Sequence, residues 1–178
     1  ESAVRFRDRL DGKLEVALGL ETAHPQALEK LNKRMTLDQF ARAAEFLRGH
    51  GIALRVVILV QPPFLTGEAE ALHWTRRSLD FAFDCGAGVA SLIPTRTVNG
   101  ALEALAARGE FAPPRLETLE AALGHGLGLR RGRVFADLWD LERFSRCAAC
   151  FQARRDRLAR MNLGQAVEPN IQCAVCAG

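Results

Sequence analysis

The sequence predicts an α/β fold built on a parallel sheet, and two observations support this. Short aliphatic runs alternate with segments of helical periodicity, in the order β-α-β-α-β-α-α-β-α. The clearest run, residues 52–60, is almost entirely aliphatic, which is typical of a strand covered on both faces. Strands that alternate with helices form parallel sheets with right-handed crossovers.

Each predicted element has a local signal. The strands are predicted at residues 14–20, 52–60, 89–93 and 133–138. A short helix follows from Pro25, and the next helix begins at a capping box formed by Thr36 and Gln39. Thr66 is the predicted cap of a helix that ends near Cys85. The later helices are predicted at 99–108, 115–123 and 141–161, and the tail to 178 is predicted to be irregular.

The composition is that of an ordinary globular protein, with 48% hydrophobic and 25% charged residues in a chain of 178. A net charge of +3 is too small to indicate nucleic-acid binding by itself. No apolar run approaches the roughly 20 residues of a membrane span, and the charged residues 1–11 do not form a signal peptide. We therefore expect a cytoplasmic protein with no membrane contact.

Four strands are too few to close a barrel of eight, and the first strand would leave an open, aggregation-prone edge. Residues 1–138 are therefore predicted to be the C-terminal half of a larger α/β barrel, and residues 139–178 a helix with a cysteine-rich extension. A compact doubly wound domain is the alternative.

Polar residues follow the predicted strands at the edge where α/β proteins meet their ligands. Glu21 follows the first strand, Gln61 and Pro62 the second, and Thr95 and Arg96 the third. This set suits a polar ligand with an amine, hydroxyls or a carboxylate. The alternative is that Glu21 caps the next helix and Arg96 is solvated. The cluster of residues 32–34, Asn-Lys-Arg, suits a phosphate or carboxylate, or is a solvated helix end.

Four of the five cysteines form two pairs with CxxC spacing, separated by 22 residues. They are Cys147, Cys150, Cys173 and Cys176. Two such pairs can present four thiolates tetrahedrally to a structural zinc ion, which is the favoured interpretation. An iron–sulfur cluster would use the same ligands, and disulfides are a third possibility.

Arginines surround the first cysteine pair, and Arg154, Arg157 and Arg160 share one side of the predicted helix. Next to a metal site they could track a phosphate backbone, which predicts RNA as a partner. The alternative is a solvated helix face. The four histidines show no metal-binding spacing, and His125, between two glycines, is predicted to lie in a loop.

Several stretches together resemble a known family: residues 19–36 (GLETAHPQALEKLNKRMT), 51–65 (GIALRVVILVQPPFL), 89–96 (VASLIPTR), and Met161-Asn162 between the two CxxC pairs. They resemble the later strands of radical S-adenosylmethionine (SAM) enzymes of the methylthiotransferase and Elongator catalytic-subunit type. The resemblance is strongest to the archaeosine-synthase radical SAM subunit and its bacterial relatives.

The resemblance implies the C-terminal half of a partial (β/α)6 barrel, similar to a TIM barrel, that holds a 4Fe-4S cluster and SAM. Such enzymes form a 5′-deoxyadenosyl radical, and a tRNA base is the implied substrate. The strands at 14–20, 54–60 and 89–93 would be the fourth, fifth and sixth of the barrel. Glu21 would then face the ribose or methionine part of SAM, and Gln61, Pro62, Thr95 and Arg96 would line the same cavity.

The chain departs from this family in two respects, since it lacks the Cys-x-x-x-Cys-x-x-Cys motif that binds the cluster and the Gly-Gly-Glu type stretch that follows the second strand of the barrel. We therefore expect a fragment that is inactive without the cluster-binding half of the barrel. The rival hypothesis is a non-catalytic module that binds nucleic acid or protein and carries a structural four-cysteine zinc site. An unrelated small α/β enzyme is disfavoured, because no GxGxxG, P-loop or Ser/His/Asp pattern is present.

Overall fold

A computed structural model of the chain describes residues 2–97 and 100–176. It contains a parallel sheet with the order β1-β2-β3-β4, formed by β1 (Glu15–Glu21), β2 (Ala53–Val60), β3 (Val89–Pro94) and β4 (Arg133–Ala136). The helices are α1 (Ser2–Arg7), α2 (Pro25–Lys30), α3 (Leu37–Gly49), α4 (Glu68–Asp84), α5 (Ala101–Ala107), α6 (Leu116–Leu129) and α7 (Ala148–Gly164), with a 3-10 helix at Leu141–Phe144. The predicted α/β fold with an open parallel sheet is confirmed.

The helices cover one face of this sheet. Alternate residues of β2, from Leu54 to Val60, are buried and pack in one core with residues of α3, α4 and α6. Arg55, Val57 and Leu59 point to the opposite face and are only half-buried. The expectation that β2 is covered on both faces is therefore wrong for the described residues. In a closed (β/α) barrel this second face would line the interior, which explains why it is also largely apolar.

The N-termini of two helices test the predicted caps. The capping box of α3 is confirmed, since Thr36 Oγ1 accepts from Gln39 N at 3.2 Å and Gln39 Oε1 accepts from Thr36 N at 2.8 Å. The prediction that Thr66 caps the next helix is wrong, because Gly67 is the N-cap of α4 and makes no side-chain hydrogen bond. The predicted start of α5 at Asn99 falls outside the described residues.

Helix α6 is longer than the predicted 115–123 segment and continues through three glycines. A β-carbon on Gly126 would lie 3.0 Å from Val134 Cγ1 and 3.2 Å from Leu79 Cδ1, so the absence of a side chain lets α6 pack closely on the sheet. His125 is therefore a helical residue and not the loop residue that its glycine neighbours suggested. Its Nε2 lies 3.7 Å from Asp80 Oδ1.

The chain after β4 packs back onto the same core. The predicted 141–161 helix is interrupted at Ser145, which is extended, between the 3-10 helix and α7. Leu141, Phe144, Leu158 and Met161 are buried in the core cluster that also contains the sheet residues. The division into two domains at residue 138 stays a prediction. Within the described ranges, no helix is both long and apolar enough to cross a bilayer.

Candidate functional site

Two neighbouring strands end in an unusual backbone conformation. Glu21 ends β1 with φ of 63°, and Gln61 follows β2 with φ of 56°. The register of β1 on β2 also shifts between Gly19 and Glu21. A left-handed conformation costs a non-glycine residue on the order of 1 kcal/mol or more, and such strain concentrates at functional sites. The carboxyl edge of the sheet is therefore the candidate site.

Glu21 forms an ion pair at this edge with Lys33, which follows α2. Lys33 lies between Asn32 and Arg34, and both neighbours have positive φ, at 51° and 54°, so the chain turns back toward the sheet. A β-carbon on Gly19 would lie 2.5 Å from Glu21 Oε1 and 2.7 Å from Lys33 Nζ. A β-carbon at this position would thus displace the ends of both side chains, and the sequence pattern did not connect these three residues.

The interpretation of Glu21 as a helix cap is wrong. His24 is the N-cap of α2, and its Nδ1 accepts from Ala27 N at 3.2 Å. The His24 ring also stacks on Trp74, with ring centroids 4.5 Å apart. The carboxylate of Glu21 is therefore free of the helix and has Lys33 as its ionic partner.

The residues predicted to share the cavity with Glu21 differ in whether they have a hydrogen-bonding group available for a ligand. Gln61 is only 3% exposed; its Nε2 donates to Ala112 O at 3.0 Å, and its Oε1 has no partner among the described residues. The Thr95 hydroxyl donates to Val60 O at 3.1 Å, and Pro62 is buried and has no N–H. Gln61 Oε1 is therefore an unused acceptor, whereas Thr95 is bonded to the backbone. Contact of these residues with a cofactor stays a prediction.

Arg96 is buried and bonded to its own chain, so the alternative of a solvated side chain is wrong. Its side chain is 7% exposed, and Nη1 lies 2.8 Å from Asp137 Oδ2 and 3.2 Å from Pro94 O. Nη2 donates to Trp139 O. The guanidinium group is thus engaged by the segment that follows β4, and its predicted contact with a cofactor stays a prediction.

The four predicted metal ligands converge in the structure. The Sγ atoms of Cys147, Cys150, Cys173 and Cys176 all lie within 4.8 Å of one another, and no disulfide joins them. The separations are 3.9 Å between Cys147 and Cys173 and 3.7 Å between Cys150 and Cys176. Two thiolates on one tetrahedral zinc ion, at about 2.3 Å from the metal, stand about 3.8 Å apart. The thiolates therefore fit a single ion.

The position of Cys147 at the start of α7 favours its thiolate form. Cys147 is the N-cap of the helix, and Cys150 lies in the first turn. Hydrogen bonds from the Cys150 backbone N–H and from the Cys176 thiol lower the pKa of Cys147 to about 7. Hydrogen bonding with Cys147 and Cys150 raises the pKa of Cys176 to about 12. The thiolate of Cys147 thus forms at a lower pH than that of Cys176.

Arg154 and Arg157 are buried, unlike the exposed arginines of a surface that contacts a phosphate backbone. They are 7% and 3% exposed. Arg154 Nη1 lies 2.5 Å from Glu117 Oε1, and Arg157 Nη1 lies 3.3 Å from Glu120 Oε1. Arg154 also pairs with Glu120. Because these two guanidinium groups join α7 to α6, their donors are occupied by this chain.

Arg160 is the exposed member of the predicted trio, and its Nη2 lies 2.8 Å from Glu168 Oε2. Arg146 and Arg155 are also exposed, and no ion pair within 4.0 Å is found for them in the described residues. Contact of Arg154, Arg157 and Arg160 with RNA stays a prediction, and the geometry favours the exposed arginines for it. The helical spacing of three did not reveal this, because the glutamates that bury the other two lie on α6.

Comparison with known proteins identifies relatives of this chain, although no family model matches it. Over 103 residues it is 30% identical to archaeosine synthase subunit beta of Methanosarcina acetivorans, a match that covers 57% of this chain and 30% of that protein. Over 113 residues it is 28% identical to an uncharacterised protein of Methanocaldococcus jannaschii, covering 62% of this chain and 31% of that protein. Over more than half of its length the chain is similar to archaeosine synthase subunit beta.

The fold comparison agrees with this relationship. The structure superimposes on the archaeal Methanocaldococcus infernus Elp3 with an N-terminus deletion, with a TM-score of 0.64 and 13% sequence identity. The match covers 87% of this chain and 37% of the Elp3 chain. The resemblance to the Elongator catalytic-subunit and archaeosine-synthase type is therefore confirmed. The chain spans about a third of the length of the curated relatives, at 30% and 31%.

Proposed function

We propose that this chain forms the later strands of the barrel of a radical SAM enzyme that modifies a base in tRNA. The relationship to archaeosine synthase subunit beta and the Elp3-like fold support this proposal. The observation that carries it is the Glu21–Lys33 ion pair, held in a strained backbone at the carboxyl edge of the sheet. Ligands of α/β barrels bind at this edge.

The residues of this chain do not fit a 4Fe-4S cluster. The sequence has no Cys-x-x-x-Cys-x-x-Cys motif, and Cys85 is the one cysteine outside the tail. The four tail thiols lie as close together as ligands of one ion, whereas each cysteine of a four-iron cluster binds a different iron. We derive no step through a cluster in this chain.

The residues at the carboxyl edge do fit SAM, which supplies hydrogen-abstracting chemistry when it is bound in such enzymes. Its amino-acid end carries one ammonium and one carboxylate group. Lys33 suits the carboxylate and Glu21 suits the ammonium group or the ribose hydroxyls. A zwitterion can replace both partners of the Glu21–Lys33 pair at once, so neither charge is left unpaired. The free Gln61 Oε1 can accept from a further N–H of the ligand.

This proposal is tested by measuring SAM binding to the full-length protein, purified without oxygen. Titration calorimetry of Glu21→Gln is expected to show SAM affinity at least about 10-fold weaker, since a charge-assisted hydrogen bond contributes about 1.5–3 kcal/mol. Glu15→Gln is the matched control, because Glu15 begins the same strand and pairs with Arg55 at 2.7 Å. Absence of SAM binding, or equal losses in both variants, would overturn the proposal.

We also propose that the four cysteines bind one zinc ion. The supporting observation is the set of short thiol separations, which match a single tetrahedral ion. Zinc would join the segment that carries Cys173 and Cys176 to the N-terminus of α7, which is a structural role. The binding free energy then contributes directly to folding of the tail.

The rival function, a non-catalytic module that binds nucleic acid or protein, rests on the same four-cysteine geometry. In that case zinc and the exposed arginines of α7 would be the functional elements, and the Glu21–Lys33 pair would be incidental. The SAM titration distinguishes the two functions, because only the enzyme requires SAM to bind at Glu21.

A further inference from the structure

An exposed tryptophan, Trp139, follows β4, and the guanidinium group of Arg96 lies against its ring. Trp139 is 64% exposed. The guanidinium carbon of Arg96 lies 5.0 Å from the centroid of the Trp139 ring and 5.6 Å from that of the buried Phe144. One side of the indole therefore contacts Arg96, while most of the ring is in contact with solvent.

The backbone of Trp139 is fixed at both of its polar groups. Its N–H donates to Asp137 Oδ1 at 3.0 Å, and its carbonyl oxygen accepts from Arg96 Nη2. Asp137 Oδ2 in turn pairs with Arg96 Nη1 at 2.8 Å. These three residues form a closed network, so Trp139 is held in place although it is exposed. A preorganised aromatic ring loses little conformational entropy when it binds a partner.

Trp139 lies at the same edge of the sheet as the proposed SAM site. Asp137 N donates to Leu92 O at 2.9 Å, which continues the parallel pairing of β4 with β3 past Ala136. The segment therefore leaves the sheet at its carboxyl edge, where Glu21 and Gln61 also lie. Glu21 ends β1 and Trp139 follows β4, the two outermost strands, so a substrate that spans the carboxyl edge of the sheet can contact both.

We propose that Trp139 is a stacking platform for an unpaired base of an RNA substrate. This inference rests on the proposed tRNA-modifying function and names a substrate contact for it. A cation already occupies one side of the indole, so a second cation is disfavoured, and a neutral planar ring is the better partner. Stacking of a base on an aromatic side chain contributes about 1–3 kcal/mol and tolerates any base.

The surroundings of Trp139 favour a nucleic acid over a protein partner. Its neighbours along the chain, Asp140, Glu142 and Arg143, are exposed and charged, so Trp139 is not part of an apolar patch. The core of a protein interface is depleted of charge, whereas a base-stacking residue beside arginines suits a ring attached to a phosphate. Arg143, whose Nη1 lies 3.4 Å from Asp140 Oδ2, and the exposed Arg146 provide cations on the same segment.

The test is binding of an unmodified, fluorescently labelled tRNA transcript to the protein as its gene encodes it, measured by anisotropy. Trp139→Ala is expected to weaken binding by about 5- to 150-fold, and Trp139→Phe to retain most of the affinity, since both effects follow from the stacking surface. Trp74→Phe is the control, because Trp74 is half-buried against His24. In this control protein, the part of the tryptophan emission that disappears when Trp139 is also replaced by Phe is expected to be quenched by the tRNA.

The outcomes separate this inference from the proposed function. If tRNA binds but neither Trp139 substitution changes its affinity and Trp139 is not quenched, the stacking platform is wrong and the SAM site is unaffected. If the protein binds SAM at Glu21 but does not bind tRNA, the stacking platform and the RNA substrate are both wrong. If Trp139→Ala instead abolishes self-association in sedimentation while tRNA affinity is unchanged, Trp139 contacts protein and the inference is overturned.

Discussion

The side-chain amide of Asn162 exchanges two hydrogen bonds with the backbone of Ala136. Its Oδ1 accepts from Ala136 N at 2.9 Å, and its Nδ2 donates to Ala136 O at 2.8 Å. Gln165 does the same with Val134, at 2.8 Å and 3.0 Å. Because β4 is an outer strand of the sheet, Asn162 of α7 and Gln165, the C-cap of that helix, take the place of a further strand and cover the edge.

We expect Asn162→Ala to destabilise the protein by about 1–3 kcal/mol, because it leaves a half-buried N–H and C=O of Ala136 without their partners. Urea unfolding followed by circular dichroism measures this change. Gln152→Ala is the control on the same helix, since Gln152 is exposed and bonds only to Asp156, at 2.8 Å, among the contacts found. A loss as small as that of the control would show that the amide does not protect the edge.

Glu120 is predicted to be the most important charge between α6 and α7. It pairs with both Arg154 and Arg157, whose side chains are only 9% and 4% exposed. Glu120→Gln removes the one carboxylate found within 4.0 Å of Arg157 among the described residues and leaves Arg154 with Glu117 alone, so the free energy of unfolding should fall by about 3 kcal/mol.

The matched control for Glu120 is Glu110→Gln, which removes the carboxylate of an exposed pair with Arg108. Exposed pairs contribute about 0–1 kcal/mol, so the control should unfold at nearly the wild-type urea concentration. Equal midpoints for the two variants would contradict the structural role of Glu120.

Gly19→Ala tests the close approach at the proposed SAM site. The added methyl group would enter the space of the Glu21–Lys33 pair, because its carbon would lie 2.5 Å from Glu21 Oε1. We expect SAM affinity to fall about as far as in Glu21→Gln, with a loss of no more than a few degrees in melting temperature. Gly88→Ala is the control, since a β-carbon on Gly88 meets no atom within 4 Å. Unchanged SAM affinity in Gly19→Ala would place the ligand elsewhere.

Metal analysis of the protein purified without oxygen should find about one zinc ion per chain and no visible absorbance from the tail. Cys150→Ser is expected to lose the zinc, whereas Cys85→Ser should retain it, because Cys85 lies outside the cluster of thiols. Iron and sulfide that are lost from the protein on Cys150→Ser would contradict a single-ion site.

In the zinc-free protein, Cys147 should be alkylated by iodoacetamide before Cys176. Its pKa is lowered to about 7, so the thiolate forms as the pH rises through 7 and the rate should fall about tenfold per unit below pH 6. Peptide mapping after short reaction times measures the order, and added zinc should protect the site. Earlier labelling of Cys176, whose pKa is raised to about 12, would contradict this assignment.

Local patterns were sufficient for the strands and for part of the site. The predicted 89–93 and 52–60 segments match β3 and β2 to within one residue, because aliphatic runs report burial directly. The capping box at Thr36 and the CxxC pairs could also be predicted from the sequence, since each depends on residues that are close along the chain. The extent of α6 could not be predicted, because its three glycines are local helix-breaking signals, and only the tertiary structure packs Val134 and Leu79 against one of them, Gly126.

The sequence by itself determined the order of strands and helices, the residues that end the strands and the four cysteines of the proposed zinc site. Only the tertiary structure decided which polar groups are used. It paired Glu21 with Lys33, buried Arg154 against Glu120, and turned Arg96 toward Trp139. These partners lie 12, 34 and 43 residues apart, so no local periodicity relates them. Their charges show that they can pair, and the packing of the sheet and helices decides which pairs form.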